Sequence, residues 1–272
     1  MIVPSWRDPR WTGILFLGSY VVFALLYPGF SRTPQQVLAA VLSCMLLDAL
    51  LQRVVWKVPL FPLSALFPAF GMCLMCDSPA WWPFVLTGLI AIGSKHFIRS
   101  GGRHIFNPLN FAIVVMLLFM GAHLRIADER WGGYWLGAAV VATVGTVSSW
   151  RARRLDLSAT YAGGFLLGAW VLSLIEGRRF LSMAAPATGA IFFLFTFSMV
   201  PDPVTTPDGR RRRIAFGLAV AGLETALRYF EIRNAPFYSL FVVGGVFSAL
   251  PPEEGRGTMP AMWKYDGAPN SG

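Results

Sequence analysis

Apolar residues run along this chain in blocks, and short polar clusters punctuate them. Thr12 to Tyr27, Trp81 to Gly93, Phe111 to Met120, Tyr134 to Val147 and Ile214 to Ala226 carry few or no charges. Blocks of this kind approach the roughly 17–25 residues that a membrane-spanning helix needs, and the chain has room for about ten of them. The pattern predicts an all-α integral membrane protein of about ten transmembrane helices, near 11–29, 36–52, 59–76, 80–97, 107–122, 133–149, 156–175, 180–200, 213–230 and 236–250.

Two of these blocks are broken by their own residues. Pro59, Pro62 and Pro68, set among Ser64, Ala65, Ala69 and Gly71, oppose a regular helix. Irregular backbone at membrane depth survives only inside protein or against a cavity. Leu63 to Gly71 finds an echo in Leu181 to Gly189, and each stands third in a set of five blocks. An odd number of crossings turns the second set over. The expectation is therefore one polytopic membrane domain over 1–250, built as two inverted five-helix repeats at about 11–122 and 133–250, each with an interrupted third helix. Residues 251–272, polar and rich in Gly and Pro, are expected to form a cytoplasmic tail without a core of its own.

Composition narrows this picture. The chain is 55% hydrophobic and 14% charged, against roughly one quarter charged in soluble domains. Two prolines in the first ten residues, and no small-residue cleavage site after them, argue against a cleaved signal. A net charge of +9 would raise nucleic-acid binding in a soluble protein. With the amino terminus inside and the sides alternating, however, most of the 23 Lys and Arg residues fall on the cytoplasmic side. That is the positive-inside bias of a multi-pass protein of the bacterial inner membrane with both termini cytoplasmic, and no nucleic-acid partner is called for. Cys73 and Cys76 read either as a redox or metal pair or as two small buried apolar residues. The apolar neighbours, and the lack of a further ligand at a suitable spacing, favour the second.

The densest polar cluster runs from Ser94 to Phe111, between two apolar blocks. Pro108 suits the first turn of a helix, which puts Asn107 and Asn110 on one face. Each carboxamide offers donors and an acceptor. That set matches the polar edge of a flavin or quinone head, with Lys95 and Arg103 placed to stabilise an anionic reduced ring. Plainer roles stand beside these: interfacial anchoring for Arg99 and Arg103, and a helix cap for Asn107. His96 and His104 share one loop and no Cys-x-x-Cys-His occurs, so no haem is expected. His123 reads as a solvated interfacial side chain. Asp48 is placed near enough to a helix end to reach the interface.

The second cluster is Val200 to Asp208. Asp202, between Pro201 and Pro203, is kept out of helical geometry, so its carboxylate and the neighbouring amides can address a ligand. The plainer alternative is a turn leading to Arg210–Arg213, which would touch anionic lipid headgroups.

Ser94-Lys95, Arg99, Gly102-Arg103-His104-Ile105-Phe106-Asn107-Pro108 and the later Asp202-Pro203-Val204-Thr205 resemble the paired motifs of the NqrB/RnfD family. These are the membrane subunits B of sodium-pumping NADH:quinone reductase and D of the Rnf complex. The likeness extends over about residues 10 to 250. It implies a ten-helix inverted-repeat fold and a flavin held near the first motif. It also brings His104, Phe106, Pro108, Pro203 and Thr205 into a candidate cofactor site with Lys95, Arg99, Arg103, Asn107, Asn110 and Asp202. The larger members attach a flavin mononucleotide covalently to the threonine of an S-G-A-T signature in an outer loop. Here the loop from Ala122 to Gly133 has no threonine, so the cofactor expected is a non-covalent riboflavin or FMN and no covalent FMN. In this the chain is closer to the short UnbU-like form.

The function expected is a flavin-binding subunit of an electron-transfer complex. It would relay electrons between a cytoplasmic-side donor and a partner subunit or quinone, with no catalytic or metal-ligating residue of its own. A structural or assembly subunit that kept the scaffold and lost the cofactor is the alternative.

Overall fold

The computed structural model describes residues 10–26, 32–57, 61–100, 102–127 and 135–250. Packing divides the chain into two compact units. Of the described residues, the first takes in those up to His104 together with Phe111–Ile126, and the second Ile105–Asn110 together with those from Ala127 to Leu250.

In the first unit, helices α1 (Arg10–Leu26), α2 (Pro34–Val54), α3 (Leu66–Met75), α4 (Trp82–Phe97) and most of α5 (Pro108–Met120) are joined by two short strand pairs. Strand β1 (Cys76–Asp77) pairs antiparallel with β4 (Arg125–Ile126), and β2 (Arg99–Ser100) pairs with β3 (Arg103–His104). Helix α2 starts where its residues dictate. Thr33 accepts from the Gln36 amide, Gln36 returns the bond to the Thr33 amide, and Pro34 fills the first turn. Helix α2 then buries Gln36, Ala40, Cys44, Asp48 and Gln52 and exposes Leu38, Leu42, Leu46 and Leu50. A helix with its polar stripe inward and leucines outward is the reverse of a surface helix in water. Gly88 of α4 lets the two helices close up, since a Cβ there would stand 2.3 Å from Ser43 Oγ.

The second unit holds α6 (Trp135–Arg151), α7 (Leu155–Glu176), α8 (Phe180–Ala184), α9 (Ala190–Leu194), α10 (Arg210–Tyr229) and α11 (Ala235–Ala249). The seam of α7 with α10 is again made by glycine: a Cβ on Gly168 would stand 1.9 Å from Thr225 Oγ1, and one on Gly164 2.7 Å from the Ala221 methyl. Helix α7 ends at Gly177, whose φ of 66° is the left-handed cap conformation that suits glycine. Leu166, Leu167, Trp170, Leu174 and Ile175 lie on its exposed side.

The expectation of about ten transmembrane helices in two inverted repeats does not survive. Among the described residues, two helices, Pro34–Val54 and Leu155–Glu176, are long and apolar enough to cross a membrane, or up to three if the bent pair Phe180–Thr188 and Ala190–Met199 is one span. The apolar helices Gly13–Leu26, Leu63–Met75, Pro108–Met120 and Ala235–Ala249 would each rise only about 20 Å, against a hydrocarbon core of about 30 Å. Helix α10 opens on four arginines. Among the described residues one broken helix pair is present: the second pair bends by 66° around Gly189, whereas Leu63–Met75 runs on from a 3₁₀ turn into α3 with Pro68 near its start. The prolines that broke the earlier pattern include Pro59, which lies outside the described residues, as does the tail 251–272. Both helices that are long and apolar enough to cross a bilayer carry apolar side chains outward.

Candidate functional site

The basic cluster separates into two settings. In the first unit, Lys95 and His96 close the last turn of α4, and both turn inward to Asp48 of α2. Lys95 Nζ lies 3.1 Å from Asp48 Oδ1 and donates to Ser64 Oγ at 2.6 Å. His96 Nε2 stands 2.7 Å from the same carboxylate oxygen. Gln52 Nε2 donates to Asp48 Oδ2 at 2.7 Å, and Trp56 Nε1 donates to His96 Nδ1 at 2.8 Å. Asp48 is fully buried. The placement of Asp48 at an interface is thereby corrected: its charge is compensated inside the unit, by Lys95. A buried carboxylate is tolerable only with such partners.

Beyond α4 the chain forms the β2–β3 hairpin, which turns through Gly102 at a φ of 78°. Arg99 donates to the Gly102 carbonyl at 2.6 Å and lies over the Trp56 ring at 5.3 Å. Arg103 pairs with Ser100 in the ladder, and His104, buried, pairs with Arg99.

In the second unit, Asn107 and Asp202 meet. Asn107 Nδ2 donates to Asp202 Oδ2 at 3.0 Å, bringing together two loops 95 residues apart in sequence. Asn107 Oδ1 accepts the Asn110 amide at 3.1 Å, so the residue also caps α5, whose first residue is Pro108. Asn110 is buried and donates through Nδ2 to the Phe237 carbonyl at 3.1 Å, while its Oδ1 has no partner among the described residues. Phe106 stacks on Phe241, with ring centroids 4.6 Å apart and planes within 12°.

Asp202 also organises its own turn. Its Oδ1 accepts the Val204 amide at 3.0 Å, and its carbonyl accepts the Thr206 hydroxyl at 2.7 Å and the amides of Thr205 and Thr206. Pro203 fills the turn between Asp202 and Val204, and the buried hydroxyl that fastens it is that of Thr206, a residue the motif reading passed over. Burial raises the Asp202 carboxyl above its ordinary value, against the opposing pull of the Val204 amide and Asn107. After the turn, Arg154 pairs with Asp208 at 2.8 Å and Arg213 with Asp156 at 2.6 Å. Arg210 and Arg211 stay exposed.

Sequence reasoning also missed a pair deeper in the second unit. Tyr161 of α7 donates to Glu224 Oε2 of α10 at 2.7 Å, and both residues are buried. The available signal was a lone acid in the otherwise uncharged run from Ile214 to Ala226. Burial pushes the Glu224 carboxyl up to about 7.

Cys73 and Cys76 are buried free thiols, and burial pushes each up to about 12, which keeps the thiolate form from neutral solution. Among the described residues no group of three His, Cys, Asp or Glu could hold a metal. His123 is exposed, with its ring edge on Trp82 at 4.9 Å.

Compared with known proteins, the chain matches no family model, and no curated protein is significantly similar to it.

Proposed function

We propose that this chain is a flavin-binding membrane subunit of an electron-transfer complex, akin to the NqrB/RnfD proteins that its two motifs resemble. The observation that carries the reading is the Asn107–Asp202 hydrogen bond, which joins the two motif loops within one unit. The donor set fits the polar edge of a flavin in one further respect. Asn110 Oδ1 is a buried acceptor without a donor among the described residues, the kind of group that a ring N–H satisfies.

A bound flavin would supply the electron-accepting and electron-donating chemistry. The chain's own work is binding and orientation. Asn110 would accept from the ligand, Phe106 would offer an aromatic face, and Asn107 would hold Asp202 and its turn, Pro203 to Thr205, at the site. Lys95 has a different task, since its charge is matched by Asp48 within the first unit. The cofactor is non-covalent.

In this reading the protein is a multi-pass protein of the bacterial cytoplasmic membrane with both termini on the cytoplasmic side. It works beside other membrane subunits or with a quinone, and the exposed Arg210 and Arg211 lie against anionic lipid.

One observation favours a second reading, that of a structural subunit without cofactor. Both ends of the Asn107 carboxamide are used inside the protein, as in a loop clasp. Replacing Asn107 and Asp202 by alanine in the membrane-embedded protein separates the two. Loss of electron transfer with the complex still assembled supports the flavin reading. Loss of assembly, in a protein that never held flavin, supports the clasp.

A further inference from the structure

The described carboxylates of this chain are, with few exceptions, matched by a cation. Asp48 has Lys95, Asp77 has Arg32 and Arg125, Asp156 has Arg213, and Asp208 has Arg154. Asp202, without one, accepts from two N–H groups. Glu224 differs from all of these. It is buried on α10, and the one hydrogen bond it makes is from the Tyr161 hydroxyl at 2.7 Å.

Among the described residues no cation forms an ion pair with it, and only Arg228 pulls on its charge from a distance. Arg228, on the same helix, makes its hydrogen bond to the Met183 carbonyl and lies over the Phe165 ring at 4.8 Å, although its charge still opposes the effect of burial. Helix α7 brings Tyr161, itself buried against Phe192 and Phe195, and keeps its charged residues Asp156 and Glu176 at its two ends. The bent pair Phe180–Thr188 and Ala190–Met199 contains no charged residue, and neither does α11. An ionised carboxylate here would sit in an apolar seam with a single neutral donor and no ion pair, and burial outweighs the pull of Tyr161 and Arg228 in favour of the neutral acid.

We propose that Glu224 is a proton-binding site, a carboxyl that takes up and releases a proton inside the second unit against the hydroxyl of Tyr161. The site stands apart from the flavin reading and does not depend on it. Its value of about 7 places the exchange within the physiological range.

The probe is dicyclohexylcarbodiimide, applied to the full chain in lipid vesicles over a range of pH and followed by peptide mass spectrometry. A neutral carboxylic acid adds across one C=N bond of the reagent: its proton goes to nitrogen and its oxygen to carbon. The O-acyl adduct then rearranges to a stable N-acylurea, and nothing leaves. The expected result is an adduct on Glu224, absent from Glu224→Gln, that is roughly a hundred-fold weaker about two pH units above neutrality than about one unit below it. Tyr161→Phe keeps the carboxyl and removes the donor that favours its ionised form, so half-labelling moves to higher pH. Absence of an adduct at Glu224, labelling that ignores pH across this range, or an unmoved midpoint in Tyr161→Phe overturns the proposal.

Discussion

Trp56 donates its indole Nε1–H to Nδ1 of His96 at 2.8 Å. An indole N–H can only donate, so Nδ1 must present its lone pair, and the proton of a neutral ring then sits on Nε2, facing Asp48 at 2.7 Å. One aromatic side chain thus sets the tautomer through which His96 supports a buried carboxylate. Lys95 supplies the balancing charge.

Removing that charge is therefore expected to be costly. Lys95→Met leaves Asp48 buried without its cation and should destabilise the protein by about 3–5 kcal/mol. Adding Asp48→Asn removes the charge left behind and should recover most of the loss. Thermal unfolding of the single and double variants in one detergent checks this. A single variant as stable as wild type would refute the assignment.

The seam of α7 with α10 gives a steric test. Gly168→Ala drives a methyl group toward Thr225 Oγ1 and should cost about 1–3 kcal/mol through overpacking. Thr225→Ala on that background should restore much of the stability. Gly163, one turn away, has open space around its Cβ position, so Gly163→Ala should instead stabilise by up to about 1 kcal/mol. Equal effects at the two glycines in the same melting experiment would contradict the packing.

The sequence disclosed the apolar helices and the two polar loops, because both depend on local composition. Asn107 as a cap before Pro108, and Asp202 between two prolines, are likewise local features. Helix bounds were not legible, since they depend on tertiary context: α10 takes in Arg210–Arg213 ahead of the apolar block that begins at Ile214. Asp48 was misread for a related reason. One acid near a helix end looks free to reach water, and the partners that bury it lie 47 and 48 residues away. Glu224 was hidden in the same way, as its partner Tyr161 is 63 residues distant.

Stability should depend on pH through Glu224. Burial raises its folded value from 4.5 to about 7. The folded state then binds the proton more tightly than the unfolded chain. The resulting contribution is fully present below about 4.5, is lost as pH rises through about 7, and amounts to about 3 kcal/mol. Melting temperature plotted against pH should fall across that window in wild type and stay flatter in Glu224→Gln. Parallel curves would contradict the shift.

The most direct measurement is the cofactor content of the protein purified from membranes, read by absorption before and after denaturation. The account predicts flavin absorbance in the folded protein and flavin released free of the chain on denaturation. It also predicts that Asp202→Ala, which breaks the bond to Asn107, weakens flavin retention by about ten-fold or more. A folded protein with no flavin absorbance, and none released, would contradict it.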